Sequence, residues 1–114
     1  MGTRCLTVMF EMPQEGGREI AVLYRQFDGY PDCHGKELRD FLKNMVMTNG
    51  ININETRKIA NGGGCLAAQI VAYFKKEAGG FYLYPPGTRD AGAEYIYYIR
   101  PQDNGKISVS VEET

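Results

Sequence analysis

The stretch from residue 24 to residue 35, YRQFDGYPDCHG, constrains the fold most because the hydrophobic pattern changes period within it. Residues 20–27 are predicted to form a strand that ends in this stretch. Beyond residue 35, apolar residues recur three and four positions apart, as on one face of an amphipathic helix. The members of that face are Leu38, Phe41, Leu42, Met45 and Val46. The chain is therefore predicted to leave a strand, turn sharply and enter a helix that stops at Gly50.

The turn itself contains residues with known backbone preferences. Gly29 follows Asp28, and a turn at this point predicts a positive φ at the glycine. Tyr30 precedes Pro31, so it is expected to be extended. Asp28 or Asp32 is predicted to cap the following helix by accepting a hydrogen bond from a free backbone N–H group.

The remaining patterns predict an α+β fold in a single domain spanning residues 1–114. A first strand at residues 1–10 is expected to pair antiparallel with the second through a hairpin connection at residues 12–19. Asn54 is predicted to cap a short helical turn, and three glycines at 62–64 are predicted to interrupt the chain before a second helix. The order ββααβββ predicts an antiparallel sheet of about five strands with both helices on one face. The later elements are a helix at 65–78 and strands at 81–84, 94–100 and 106–112.

The last hairpin allows its register to be predicted. A type I turn with Gly105 as a left-handed bulge residue pairs Ile99 with Val109 and Tyr97 with Val111. A two-residue loop would instead mix polar and apolar residues on both faces, so the first register is favoured. It predicts a core-facing row formed by Tyr95, Tyr97, Ile99, Ile107, Val109 and Val111.

Composition narrows the classes of function. The net charge is −1 with a pI near 5.8 and no basic stripe, which argues against nucleic-acid binding. No apolar run approaches the length of a membrane span, and the opening residues do not resemble a signal peptide, so no membrane partner is expected. Three widely spaced cysteines predict free thiols in a reducing cytoplasm. With one histidine and no close cysteine pair, neither a metal nor another cofactor is predicted.

The polar residues of the turn form the candidate site. A rigid strand-to-helix corner explains many such clusters by turn and cap chemistry alone, but it is also a suitable place for a ligand or a protein partner. Arg4, on the first strand, is expected near the end of the second, where it forms a salt bridge with Asp28 or part of an anion site. His34 is expected to have a lowered pKa, because a helix N-terminus disfavours its positive charge. The predicted binding residues are Arg4, Arg25, Gln26, Asp28, Tyr30 and His34.

Two other functions stay open at this stage. A hydrolase or transferase would use Cys65 or Cys5 as nucleophile and His34 as base. Cys65 follows three glycines at a predicted helix start, a position that lowers a thiol pKa. A structural homo-oligomer would instead use the tyrosine-rich strands, since five of the eight tyrosines lie between residues 82 and 98.

The first third of the chain resembles a group of small uncharacterised phage and phage-like proteins. The likeness consists of the opening Met1-Gly2-Thr3-Arg4 and the later block YRQFDGYP at residues 24–31. Those proteins have a similar Met-Gly-Thr-Arg opening and a Tyr-x-Gln-x-Asp-Gly-Tyr-Pro block. The resemblance implies a viral or mobile-element setting and carries no activity over to this chain.

Overall fold

The computed structural model describes residues 2–11 and 17–114 of the chain. Most of the predicted hairpin connection, residues 12–16, lies outside the described residues, as does Met1. The described elements are β1 (Cys5–Phe10), β2 (Glu19–Arg25), a π-helical turn (Pro31–Gly35), α1 (Lys36–Leu42), β3 (Val46–Thr48), β4 (Ile59–Asn61), α2 (Gly62–Phe74), β5 (Phe81–Tyr84), β6 (Tyr95–Pro101) and β7 (Ile107–Glu113).

The main sheet has five strands in the order β5-β2-β1-β6-β7, which confirms the predicted α+β class. β1 and β2 pair antiparallel as predicted, and so do β2 with β5 and β6 with β7. β1 and β6 run parallel, so the sheet is mostly rather than wholly antiparallel. No helix among the described residues is long and apolar enough to span a membrane.

The β6–β7 hairpin has the predicted register. Ile99 lies opposite Val109, Tyr97 lies opposite Val111, and Gly105 has a φ of 82°. Tyr97 and Ile99 are buried as predicted. Val111, at the other end of the predicted core-facing row, is 39% exposed and so does not belong to the core.

Both faces of the sheet are covered. On one face, α1 and α2 pack their apolar residues against β1, β2 and β6, as predicted. On the other face lies a smaller cluster, covered in part by the segment at residues 85–94 between β5 and β6. Because β1 is the middle strand, its residues 5–9 are buried on both sides. The second cluster contains Leu6, Val8, Val22, Tyr24 and Ile96, with Ala91 and Ala93 packed on it.

The first helix is shorter than predicted. α1 ends at Leu42, Asn44 takes a left-handed φ of 62°, and the chain then enters β3 at Val46. The helical turn predicted at Asn54 is not formed: residues 49–58 contain no helix and connect β3 to β4, which pair parallel in a small second sheet. The N–H group of Val46 donates to the carbonyl of Lys58 at 2.9 Å and helps to hold this sheet. The helical spacing of Val46 in the sequence was misleading, because this pairing between distant residues decides the local structure.

The second helix also differs at both ends. α2 starts at Gly62 rather than Cys65 and stops at Phe74 rather than near residue 78. The three glycines therefore begin the helix instead of interrupting the chain. Gly63 permits a close approach to the end of β1, since a Cβ atom there would lie 2.7 Å from the Cα atom of Glu11.

The neighbouring glycines 63 and 64 give a matched test of this packing. We expect Gly63→Ala to lower the free energy of unfolding by about 1–3 kcal/mol, because backbone atoms of Phe10 and Glu11 occupy the space. We expect Gly64→Ala to raise it by about 0.5–1 kcal/mol, because nothing lies within 4 Å and alanine favours helix. Urea denaturation of both variants checks this, and equal effects would contradict the packing.

Candidate functional site

The corner after β2 is held in place by its backbone. Asp28 has a left-handed φ of 62°, so the predicted positive φ lies at the aspartate rather than at Gly29. Gly29 is required for a different reason, because a Cβ atom there would lie 2.7 Å from the Cβ atom of Cys5. Its N–H group donates to the carbonyl of Thr3 at 2.9 Å, and its carbonyl accepts from the Tyr97 hydroxyl at 2.7 Å. The corner is therefore fixed against β1 and β6.

The following helix starts without a side-chain cap, so the prediction that Asp28 or Asp32 caps it is wrong. Tyr30 is extended, with φ −73° and ψ 159°, as expected before proline. Its carbonyl oxygen accepts from the backbone N–H groups of Cys33 and His34, each at 3.0 Å. Pro31 at the first position lacks an N–H group and needs no acceptor. The backbone of the π-helical turn thus satisfies N–H groups that a side-chain carboxylate was expected to satisfy.

His34 is fully buried, and both of its ring nitrogens form hydrogen bonds. Arg25 Nη1 lies 3.0 Å from His34 Nδ1, and Thr7 Oγ1 lies 2.7 Å from His34 Nε2. An arginine can only donate, so Nδ1 must accept and the proton must lie on Nε2. His34 is therefore the neutral Nε2–H tautomer, and it donates to the hydroxyl of Thr7.

The surroundings of His34 keep it neutral. Burial, together with the smaller effect of the positive charge of Arg25, lowers the His34 pKa from the ordinary value of 6.5 to about 3. The predicted direction is confirmed, but the cause is burial and Arg25 rather than a helix terminus. The ring stacks on Phe74 at 4.8 Å and meets the edge of Tyr97 at 4.9 Å, measured between ring centroids.

Arg25 connects this buried ring to the surface. Its Nη1 also donates to Glu37 Oε1 at 2.9 Å, and the Cys33 thiol donates to the same oxygen at 3.3 Å. The guanidinium carbon lies 5.0 Å from the ring centroid of Phe81 and 5.8 Å from that of Phe74. The Arg25 side chain is only 12% exposed and its charge is already paired with Glu37. Arg25 is therefore poorly placed to bind an anionic ligand.

Arg4 lies away from this network. It is exposed, and its guanidinium lies beside Gly92, in the segment that covers the other face of the sheet. Among the described residues, no salt bridge joins Arg4 to Asp28. Of the six predicted site residues, the structure brings Arg25 and His34 into contact. It leaves Gln26, Asp28 and Tyr30 on the surface of the corner.

The exposed side chains of the corner form what we call the corner surface. It comprises Gln26, Phe27, Asp28, Tyr30 and Asp32, which are all exposed. Phe27 is 53% exposed and Tyr30 is 41% exposed, so two large aromatic rings face outward from a fixed backbone. Sequence reasoning placed Phe27 inside a strand, but β2 ends at Arg25. The turn residues that follow were the available signal that Phe27 lies beyond the sheet.

The cysteines do not assemble with His34. Within the described residues, no sulfur atom makes a hydrogen bond to the imidazole, whose two nitrogens are already occupied. Burial raises the pKa of Cys5 to about 12, and burial together with Glu37 raises the pKa of Cys33, so both thiols are poor nucleophiles. Cys65 is exposed and donates to Gln69 Oε1 at 3.4 Å.

The described residues contain no group of three or more histidine, cysteine or acidic side chains placed to hold a metal ion. No protein-family model, curated protein or solved structure matches the chain.

The buried His34 predicts how stability depends on pH. Its folded pKa of about 3 lies below the ordinary value of 6.5, so the unfolded chain takes up a proton first as the pH falls. The stabilisation is therefore complete above about pH 6.5 and is lost progressively towards about pH 3. Between about pH 6.5 and about pH 5 we expect a loss of about 2 kcal/mol, measured by urea denaturation across this range.

A matched variant isolates this effect. His34→Gln retains a donor for Thr7 but cannot be protonated, so we expect its stability to change little over the same interval. The carboxyl groups of Glu19 and Asp40 have lowered pKa values and titrate below this interval. An equal slope in wild type and variant would show that His34 is not the group responsible.

Proposed function

We propose that the chain is a binding module that recognises a protein partner through the corner surface. The observation that carries this proposal is the exposure of Phe27 and Tyr30 on a rigidly held corner flanked by carboxylates. Exposed aromatic residues of this kind provide the main anchors of many protein interfaces.

The rigidity of the corner supports a binding role. Asp28 is a non-glycine residue in the left-handed region, a conformation that persists only where surrounding contacts impose it. Gly29 makes those contacts through its hydrogen bonds to Thr3 and Tyr97. A surface held in one conformation loses less entropy on binding, so its aromatic side chains contribute more to affinity.

The charges around the aromatic pair indicate the partner's chemistry. Asp28 and Asp32 are exposed beside Phe27 and Tyr30. Arg25, the nearest cation along the chain, is paired with Glu37 beneath them. A partner segment that combines basic with apolar side chains would complement this surface. An extended protein segment suits two outward-facing rings better than a small enclosed ligand does, since small ligands usually bind in concave sites.

The setting of this function is part of the proposal. Cys5, Cys33 and Cys65 are free thiols, which favours a reducing compartment such as the cytoplasm. The resemblance of the first third of the chain to phage-like proteins favours a partner of viral or host origin.

The proposal is tested by selecting binders from a displayed library of random short peptides, using the whole chain as bait. We expect the selected peptides to be rich in Lys or Arg together with aromatic or aliphatic residues. The double variant Phe27→Ser with Tyr30→Ser should lower their affinity by about tenfold or more, measured by isothermal titration calorimetry. Asp28→Asn, which tolerates the left-handed backbone, should lower it less and reduce its salt dependence.

Ile53→Ser provides the matched control, because Ile53 is a 96% exposed hydrophobic residue on a different loop. Its affinity for the selected peptides should equal that of wild type. The proposal fails if no peptide is selected, if the selected peptides are acidic, or if the double variant of Phe27 and Tyr30 binds them as wild type does.

A further inference from the structure

The outer edge of β7 has no neighbouring strand among the described residues. β7 lies at one end of the sheet, next to β6. The N–H of Gln102 donates to the carbonyl of Lys106, and that of Thr114 donates to the carbonyl of Glu94. These bonds place the even-numbered residues of β7 in the hydrogen-bonded pairs with β6. The N–H and C=O groups of Ile107, Val109, Val111 and Glu113 therefore point away from the sheet.

Apart from the glutamates at its C-terminal end, the β7 edge has few of the features that commonly protect a sheet edge, as far as the described residues show. β7 is seven residues long, its register with β6 is continuous, and it contains neither lysine nor proline. β5, at the opposite end of the sheet, has four residues and is followed by Pro85 and Pro86. β7 is therefore the better template for an added strand.

We propose that β7 pairs antiparallel with β7 of a second copy of this chain, around a two-fold axis at Ser110. This register uses the whole strand, because Ser110 is its middle residue. It places Ile107 opposite Glu113 of the partner subunit and Val109 opposite Val111 of the partner subunit. Every outward N–H and C=O group of the strand then forms a ladder bond, and the two sheets become one. Val111, which is 39% exposed in the single chain, becomes covered.

Charge complementarity favours a second copy as the occupant. An open cavity of about 420 Å³ lies beside β7, with Leu42, Ile107 and Val109 among its lining residues. Arg39 and Lys43, one helical turn apart, also line it.

The cations of this cavity lack acidic partners within the part of the chain that the structure describes. The cavity also contains Asp40, but its carboxylate binds Lys36 at 2.6 Å. In the proposed register, Glu113 of the partner subunit lies opposite Ile107. Its side chain is then on the face of the sheet that α1 covers, the same side as Arg39 and Lys43. The two-fold axis repeats this pairing, so each subunit supplies one carboxylate and one pair of cations.

The oligomeric state of the full chain, measured by sedimentation velocity over a range of concentrations, tests the proposal. We expect a dimer whose dissociation constant rises about tenfold or more in Glu113→Lys, since the lysine faces two cations. Reversing those cations with Arg39→Glu and Lys43→Glu in the same chain should restore the dimer. A monomer at all concentrations would overturn the proposal, as would a dimer that Leu83→Lys on β5 dissociates and Glu113→Lys does not.

Disulfide trapping tests the register. Ser110 lies opposite its own copy in a non-hydrogen-bonded pair, where the Cα atoms are about 4.5 Å apart, so Ser110→Cys should oxidise to a covalent dimer. Ser108 lies opposite Glu112 of the partner subunit, which separates the two copies of Ser108 by about 13 Å, so Ser108→Cys should not. Both variants are made with Cys33→Ser and Cys65→Ser. Equal trapping of the two variants would overturn this register.

Discussion

The neutral imidazole of His34 is the interaction on which the arrangement of this chain most depends. It accepts from Arg25 on β2, donates to Thr7 on β1, and packs between Phe74 of α2 and Tyr97 of β6. The π-helical turn that contains it is thereby joined to three strands and the second helix. A buried hydrogen-bonding group of this kind stabilises only when both sides are satisfied, and here only the Nε2–H tautomer satisfies both. Charging the ring would break the bond from Arg25 and place two cations side by side.

Local patterns predicted the parts of the fold that local pairing determines. The period-two pattern of the first strands and the glycine of the last hairpin gave the correct partners, including Ile99 with Val109. The errors lie where distant contacts decide the structure. Val46 fits a helical face, but its N–H group bonds to Lys58 and the chain becomes a strand. Gly63 resembles a helix breaker, yet it lies inside α2, and glycine is needed there because the end of β1 passes too close for a side chain.

The part of the candidate site that could be predicted depends on which face of the sheet each strand residue occupies, and alternation along the strand gives that face. Arg25 and His34 do meet, because Arg25 lies opposite Cys5 on the face that the helices cover. Arg4 has the parity of Leu6 and so belongs to the other face, where it lies beside Gly92. The apolar pattern placed Phe27 inside the second strand, and only the turn residues that follow it indicated that β2 ends earlier, at Arg25. Arg25 and His34 thus belong to a buried hydrogen-bond network, and the proposed binding surface consists of their exposed neighbours.

The sheet order separates the corner surface from the proposed dimer edge at β7. The corner surface follows β2 and lies against the start of β1, whereas β7 is separated from β1 by β6. A β7-paired dimer would therefore leave both copies of Phe27 and Tyr30 accessible, at the two ends of one continuous sheet. A partner that contains two suitable segments would then gain affinity from the second contact without any new interaction at either corner. This arrangement would favour repetitive or oligomeric partners over single copies of the same segment.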